Sequence, residues 1–253
     1  MIGGWQKFLS ITLAVLTLVS AANAQGRGPL PGDAESRKIS VVVDRGITHT
    51  NQLPSALRPL RKAMVAGSAM SDADLRRLAE RGDGLAALRL TKRLMSHGLA
   101  TNAEDIAYFA SIAAGAGRVS TLDEMIAALY LLAPDQLPRE KLRKTIRVLY
   151  AHAWAGNTRA LGAVIDLNGP DQLFGAMSEK TRNKLLDKGR ELGTGQIELR
   201  LAIKELSEAP DDATTRTRVA GYLIRAERMG DLAVQTIARN LRRRLGDAPD
   251  AQY

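Results

Sequence analysis

The sequence predicts an all-α protein, and three observations support this prediction. Aromatic residues make up only 4% of the chain while Ala and Leu are abundant, a balance that favours closely packed helices. Apolar residues recur every three or four positions in the segments after Pro54. Gly is followed by Asp or Asn at Gly82, Gly156 and Gly230, which is typical of tight turns between helices. Together these signals predict stacked antiparallel helical hairpins in an α-solenoid-like arrangement.

Residues 1–24 have the layout of a cleaved signal peptide. Lys7 adds charge to the amino-terminal region, an apolar stretch runs from Phe8 to Val19, and Ala22-Asn23-Ala24 matches the small-residue pattern before a cleavage site. This apolar stretch is shorter than the roughly 20 residues that cross a bilayer. We therefore expect export, cleavage after Ala24 and no transmembrane segment in the mature chain. The alternative is an uncleaved membrane anchor.

The next segment, residues 25–53, is predicted to be a flexible linker followed by an extended segment. Its first part is rich in Gly, Pro and charge, as linkers are. The stretch from Ile39 to Val43 has the only strand character in the chain, and one short strand cannot form a sheet alone. We expect it to pack in extended form or to offer a pairing edge. The helical-repeat domain is assigned to residues 54–246 and a disordered tail to residues 247–253.

Helix starts after Pro54 are indicated by capping residues. The capping-box spacing, in which a hydroxyl residue precedes an acid by three positions, marks several of these starts, and three pairs are taken as examples. The pairs are Ser71 with Asp74, Thr101 with Glu104, and Thr121 with Glu124. Pro138 is predicted to lie in the first turn of a later helix. About ten helices are expected in total between Pro54 and Gly246.

Apolar periodicity predicts which faces of these helices are buried. The predicted buried stripes are Leu142, Ile146, Leu149 and Ala153 in one helix, and Val234, Ile237, Leu241 and Leu245 in the last.

A weak internal repeat surrounds the turns. The pattern Ala-x-x-Gly-[Asp/Asn]-x-x-Ala occurs at residues 79–86 and 153–160, with a degenerate copy at residues 226–233. Including two further turns near Gly115 and Gly193, the turn glycines are spaced by 33, 41, 37 and 37 residues. This spacing is the length of one helical hairpin with its linker, and such hairpins bury their apolar faces by stacking.

The stretch from Ile112 to Val119, followed by Asp123 and Ala127, resembles the signature turn of Sel1-like repeats, relatives of the tetratricopeptide class. The resemblance covers mainly Ser71 to Gly169, and the Tyr expected after a Leu-Gly pair is missing. It implies an adaptor or regulator in signalling or envelope assembly. The alternative is an irregular helical bundle that uses common Gly-Asp turns.

The sequence predicts no catalytic, cofactor or metal site. The chain contains no Cys, and its three histidines have no helical partner four residues away. They are His49, His97 and His152. We expect His152, in an apolar stretch near Trp154, to be packed or on the surface.

Paired acids leave one enzymatic hypothesis open, a helical glycan hydrolase. The candidate pairs are Glu104-Asp105, Asp123-Glu124 and Asp211-Asp212. All three are predicted at helix starts, where the macrodipole favours acids. With two Trp and five Tyr in the chain, few residues are available to stack on sugars. This hypothesis therefore ranks third.

The formal net charge of +9 at pH 7 predicts attraction to anionic surfaces. Six arginines near the C-terminus are the candidate contacts for an anionic partner: Arg225, Arg228, Arg239, Arg242, Arg243 and Arg244. Arg suits bidentate contact with carboxylate or phosphate, although cations at a helix C-terminus are also stabilised by the macrodipole. Aromatic residues are not interleaved with these arginines, which disfavours nucleic acid.

The leading hypothesis is a non-enzymatic periplasmic helical-repeat module that binds a protein or peptide partner along its concave surface. The alternative is a basic envelope-associated structural protein that contacts anionic lipid or cell-wall polymer. The periplasm is favoured over full secretion because the sequence has no Cys and no surface-anchoring signal.

Overall fold

The computed structural model describes residues 39–246. Within this range the chain forms eleven α-helices and no β-strand beyond one isolated bridge, which confirms the predicted all-α class. The predicted signal peptide, the predicted linker up to residue 38 and the predicted tail at residues 247–253 lie outside the described residues.

The helices are numbered here in chain order. They are α1 (Arg58–Val65), α2 (Asp72–Glu80), α3 (Gly84–Ser96), α4 (Ala103–Gly115), α5 (Leu122–Leu129), α6 (Arg139–Trp154), α7 (Thr158–Leu167), α8 (Glu179–Leu192), α9 (Gln196–Glu208), α10 (Ala213–Met229) and α11 (Leu232–Gly246). Short 3-10 turns occur at Thr50–Gln52, Ser55–Leu57 and Val119–Thr121.

Helices that follow one another along the chain pack together, as α2 does with α3, α3 with α4, α9 with α10 and α10 with α11. Alternate helices also touch, namely α4 with α6, α5 with α7, α7 with α9 and α9 with α11. We call α5, α7, α9 and α11 the odd row, and α4, α6, α8 and α10 the even row. One apolar cluster extends through both rows and includes the fully buried Phe109, Leu149 and Leu161.

Two of the predicted Gly-Asp/Asn turns form as expected. Gly82 and Gly156 have φ angles of +86° and +98°, in the left-handed region that ends a helix without cost for Gly. The side chains of Asp83 and Asn157 then accept backbone N–H groups in the first turns of α3 and α7, each at 3.0 Å. Local signals therefore predicted these turns correctly.

The third turn differs from the prediction. Gly230 has extended backbone with φ −75°, although Asp231 still accepts the N–H of Val234 at 2.9 Å. A Cβ at Gly230 would lie 2.3 Å from Cγ1 of Val234, so close approach requires this glycine. The turn near Gly115 also differs from the prediction. Gly115 is the last residue of α4, and the left-handed backbone conformation of the turn is at Gly117, with a φ angle of +88°.

Of the three predicted helix caps, the one at Ser71, before α2, is confirmed. The one at Thr101, before α4, is wrong. Ser71 Oγ accepts the backbone N–H of Asp74 at 3.1 Å. The box of Thr101 with Glu104 is wrong, because Asn102 holds the N-cap position of α4. The Asn102 side chain donates back to the Gly98 carbonyl at 2.9 Å instead of capping the new helix.

The box of Thr121 with Glu124 is also wrong. Thr121 does stand at the N-cap of α5, but its hydroxyl makes no capping bond and is instead directed at the carbonyls of Arg118 at 3.0 Å and of Ala110 in α4 at 3.2 Å. Pro138 occupies the N-cap position of α6 and not its first turn.

Burial follows the predicted stripes with one exception. In α6, Leu149 and Ala153 are fully buried, while Leu142 and Ile146 are half-buried. In α11, Ile237 is 46% exposed and the prediction for it is wrong. Helix α11 packs mainly on α10, so only a narrow stripe is covered, and Ala238 completes it.

The segment before α1 packs in extended form, as one of the two sequence alternatives stated. We call residues 39–47 the N-terminal strap. The N–H groups of Val43 and Asp44 donate to the Gly115 carbonyl at 2.8 and 3.0 Å, and that of Ile47 donates to the Gly82 carbonyl at 3.1 Å. The strap therefore crosses the turns that follow α2 and α4.

Close packing of the strap also explains why these turns contain glycine. A Cβ on Gly46 would lie 2.0 Å from the carbonyl oxygen of Gly82, so the two backbones touch. A Cβ on Gly117 would lie 3.1 Å from Val42. The glycines of the apparent repeat thus serve the contact with the strap as well as the turns.

Candidate interaction surface

Charge is divided unevenly between alternate helices from α5 to α10. Helices α6, α8 and α10 together carry fourteen Lys and Arg against five Asp and Glu. Helices α5, α7 and α9 carry three against six. We call the exposed cations of α6, α8 and α10 the basic face: Arg139, Arg143, Lys144, Arg147, Lys180, Lys184, Arg190 and Arg228. This row is expected to attract an acidic partner.

Two ion pairs join α5, α7 and α9. Asp123 of α5 lies 2.6 Å from Arg159 of α7, and Asp166 of α7 accepts Nε of Arg200 of α9 at 2.8 Å. Gly162 makes room for Arg200, since a Cβ there would lie 2.6 Å from its Nη1. These two pairs therefore help to hold the three helices together.

The six predicted arginines fall into two groups. Arg242 pairs with Glu227 at 2.8 and 3.2 Å, a hydrogen bond that lowers the pKa of Glu227 and joins α10 to α11. Arg225 lies 5.2 Å from the centroid of the Tyr222 ring. The other four are exposed and form no ion pair within residues 39–246: Arg228, Arg239, Arg243 and Arg244. These four stay candidate contacts.

An aromatic cluster lies where α6 meets α8. We call Tyr150, Trp154, Phe174 and Lys184 the α6–α8 seam. The rings of Tyr150 and Trp154 meet edge to face with centroids 5.4 Å apart, and Phe174 lies 6.3 Å from Tyr150. Lys184 Nζ lies 4.5 Å from the Trp154 centroid, a cation–π contact. All three rings are half-buried and therefore partly open to solvent.

Tyr150 is fixed within the seam by its hydroxyl. The side-chain N–H of Asn168 donates to it at 2.8 Å. Burial raises the pKa of Tyr150, and the bonds to Asn168 and Thr181 partly oppose this. The sequence analysis did not predict the seam, although Tyr and Trp four residues apart in an amphipathic helix are a signal for it.

A buried ionic cluster ties three helices together beside this seam. Glu205 of α9 is 6% exposed and accepts Nε of Arg182 of α8 at 2.7 Å and Nε of Arg218 of α10 at 2.6 Å. The Tyr222 hydroxyl also approaches Glu205, at 3.5 Å. Both carboxylate oxygens are thus satisfied, which is the condition for a buried charge to persist.

A second carboxyl on the same face of α9 has no hydrogen-bond partner. Glu198 is fully buried, and a Cβ at Gly189 of α8 would lie 2.8 Å from its Oε1. Burial raises the pKa of Glu198, while the charges of Arg225 and Arg190 act in the opposite direction. The carboxyl therefore favours its protonated form more than an exposed Glu does.

We expect Glu198→Gln to increase stability at neutral pH. Because the folded pKa of Glu198 is raised, the native state holds the proton longer, and stability falls as pH rises above the unfolded value of about 4.3. Urea unfolding from pH 4 to pH 8 should show this decline in the wild type and a weaker one in the variant. Glu179→Gln, at an exposed position of α8, is the control. A decline that is equal in all three proteins would contradict the assignment.

His152 is packed in the core, one of the two outcomes expected for it. It is fully buried, neither ring nitrogen has a hydrogen-bond partner, and burial lowers its pKa with the Ala114 backbone in opposition. His49 and His97 are exposed on separate segments. The structure does not bring the three histidines together.

The candidate acid pairs lie at helix starts, as predicted. Asp105 pairs with Arg76 at 3.0 Å, which lowers the pKa of Asp105, and Asp212 caps α10 by accepting the Thr215 N–H at 2.6 Å. Glu124 differs, because one carboxylate oxygen is buried without a partner and burial raises its pKa.

Two surface depressions lie on the described part of the chain. One of about 440 Å³ lies between the start of α4 and residues Leu131, Leu132 and Gln136. Another of about 640 Å³ lies along α8, between Glu179 and Asp187. In residues 39–246 no three His, Asp or Glu side chains form a group that could hold a metal ion. None of the helices described is both long and apolar enough to span a bilayer.

No protein-family model, curated protein or solved structure matches the chain.

Proposed function

We propose that the protein is an α-solenoid-like binding module of the Sel1/tetratricopeptide kind, without enzymatic activity, that holds a protein or peptide partner in the periplasm. The observation that carries the proposal is the uneven distribution of charge over α5 to α10. The acids Asp123 and Asp166 of α5 and α7 are paired with Arg159 and Arg200, whereas most cations of the basic face have no carboxylate beside them. Unpaired charge on one side of a folded chain steers a partner of opposite charge to that side.

A basic envelope-associated protein that contacts anionic lipid or cell-wall polymer is the second candidate. The specific observation in its favour is the group of four exposed arginines on α10 and α11 that have no ion pair in the described chain. A protein partner is preferred because the half-buried aromatic rings of the α6–α8 seam lie beside Lys184 of the basic face. Aromatic and Arg side chains are the usual energetic centres of protein interfaces.

Photo-cross-linking in cells tests the proposal. A cross-linker at Lys180, on the basic face, should capture one dominant envelope protein, whereas a cross-linker at the exposed Ser207 of α9 should not. Capture of only lipid or glycan from Lys180 would favour the second candidate. Equal capture from both positions, or none, would overturn the proposal.

Salt dependence separates the two candidates further. At an ionic strength of about 1 M the Debye length falls to about 3 Å, so contact with a diffuse anionic surface should be abolished. Binding to the captured protein should weaken by about tenfold or less, because apolar contacts are not screened. Co-precipitation at low and high salt, with the purified partner, measures the difference. Complete loss at high salt would support lipid or polymer binding instead.

A further inference from the structure

The α6–α8 seam combines features that the rest of the basic face lacks. Its Trp154 ring is held edge-on by Tyr150 and covered on one face by Lys184, so its position is fixed before any partner arrives. Lys180 lies one turn before Lys184 on the same exposed side of α8. Neither lysine forms an ion pair with a described residue.

Nearby acids do not neutralise these two lysines. Asp187 is paired with Arg190 at 2.5 Å, and Glu191 is paired with Lys188. Glu179 is in the first turn of α8, where the helix dipole stabilises it. The seam therefore presents Lys184 on the Trp154 ring and Lys180 one helical turn away, and neither lysine is paired with a described carboxylate.

We propose that the α6–α8 seam anchors an acidic protein segment that carries an aromatic side chain beside its carboxylates. This rests on the proposed function and names the partner chemistry. The carboxylates pair with Lys180 and Lys184, and the partner's ring packs on the open parts of Trp154 and Phe174. A pair of aromatic rings stabilises such a contact by more than the burial of apolar surface alone. The charges of Lys180 and Lys184 fix the position of the acidic segment along the seam.

Trp154 itself reports on the seam. The chain contains two Trp, so Trp5→Phe leaves Trp154 as the only emitter in the full-length protein. The probes are a peptide of Glu with interspersed Phe, the same peptide with Ser in place of Phe, and phosphatidylglycerol vesicles. We expect the Phe peptide to shift the emission and to bind about tenfold more tightly than the Ser peptide. Equal binding of both peptides would exclude an aromatic anchor.

A pair of double variants separates the seam from net charge. Lys180→Glu with Lys184→Glu should weaken binding of the Phe peptide by about tenfold or more, as expected when two contacting charges are reversed. The control is Lys62→Glu with Arg81→Glu, which changes the net charge by the same amount. Lys62 is an exposed residue of α1, and Arg81 is the exposed residue that follows α2. This control should leave binding of the Phe peptide within about twofold of the wild type. Circular dichroism verifies that both variants remain helical. Equal losses in the two variants would overturn the seam in favour of general attraction.

Three outcomes distinguish failure of the seam from failure of the proposed function. If a shift in Trp154 emission occurs with vesicles and not with either peptide, the seam contacts a membrane and the assignment to protein is wrong. If cross-linking in cells captures a protein while Trp154 and both double variants show no effect, the binding function stands and its anchor lies elsewhere. If no protein is captured, the function falls together with the seam.

Discussion

Replacing Glu205 with Ala is expected to lower the free energy of unfolding by about 3 kcal/mol. Glu205 is the common acceptor of Arg182 and Arg218, and its removal leaves two guanidinium groups without their carboxylate. Loss of one partner from a buried ion pair typically costs 3 to 5 kcal/mol. The lower end applies because the arginine side chains are 24% and 35% exposed and are partly screened by water.

Urea denaturation followed by circular dichroism measures this loss. Glu205→Gln keeps the size of the side chain and one acceptor oxygen, so an intermediate loss is expected. Glu208→Ala is the matched control one turn later on α9, where a partly exposed pair with Lys204 at 3.0 Å within the same helix should contribute less than about 1 kcal/mol. If both alanine variants lost the same small amount, Glu205 would not hold the helices together.

The effect should be concentrated at α8. Only Leu185 and Gly189 are buried in this helix, so its attachment to α9 depends strongly on the ionic cluster. Hydrogen exchange in the Glu205→Ala variant should therefore increase first in α8 and the segment before it. Because α8 carries Lys180 and Lys184, the same variant should also weaken binding at the α6–α8 seam.

The parts of the fold that were predicted correctly depend on local signals. Gly82 with Asp83, and Gly156 with Asn157, need only their own backbone angles and the next helix turn to form. Ser71 caps α2 for the same reason. A short-range hydrogen bond can be inferred from spacing alone, since both partners are fixed by the same turn of chain.

The predictions that failed depend on contacts between distant residues. Thr121 has the right spacing for a capping box, yet its hydroxyl is directed at the carbonyls of Arg118 and of the distant Ala110. Ile237 has the right period, but among the described residues α11 packs mainly on α10, and Ile237 is left exposed. Neither outcome follows from periodicity, because periodicity does not specify what covers a helix.

The candidate surface was only partly predictable. Arginines of the last hairpin could be identified from the sequence because they cluster along the chain. The seam could not, since Trp154 and Lys184 are thirty positions apart and meet only through the packing of α8 beside α6. Similarly, the uneven charge of α5, α7 and α9 compared with α6, α8 and α10 becomes visible only when it is known which helices pack together.

Asp83→Ala is expected to have an effect as large as that of Glu205→Ala, for a different physical reason. Asp83 is fully buried, and its Oδ1 accepts the N–H groups of Leu85 and Ala86 at 2.9 and 3.0 Å. Its Oδ2 accepts Nε of Arg61 at 2.7 Å. Loss of the cap costs about 1 kcal/mol, and the unpaired Arg61 adds further cost, so we expect a total of about 3 kcal/mol.

Asp83→Asn separates the two contributions. Its carbonyl oxygen can still cap α3, but its amide cannot accept from Arg61, so the difference between the two variants is the value of the cap. Arg61 also donates to Thr50 Oγ1 at 3.0 Å and to the Thr48 carbonyl at 3.1 Å. The ion pair thus connects the residues that follow the N-terminal strap to the turn of Gly82. Hydrogen exchange should accordingly show faster exchange around residues 43–50 in both variants, while the first turn of α3 loosens only with Ala. If the strap stayed protected in both, its attachment would rest on the backbone contacts at Gly82 and Gly115 and not on Asp83.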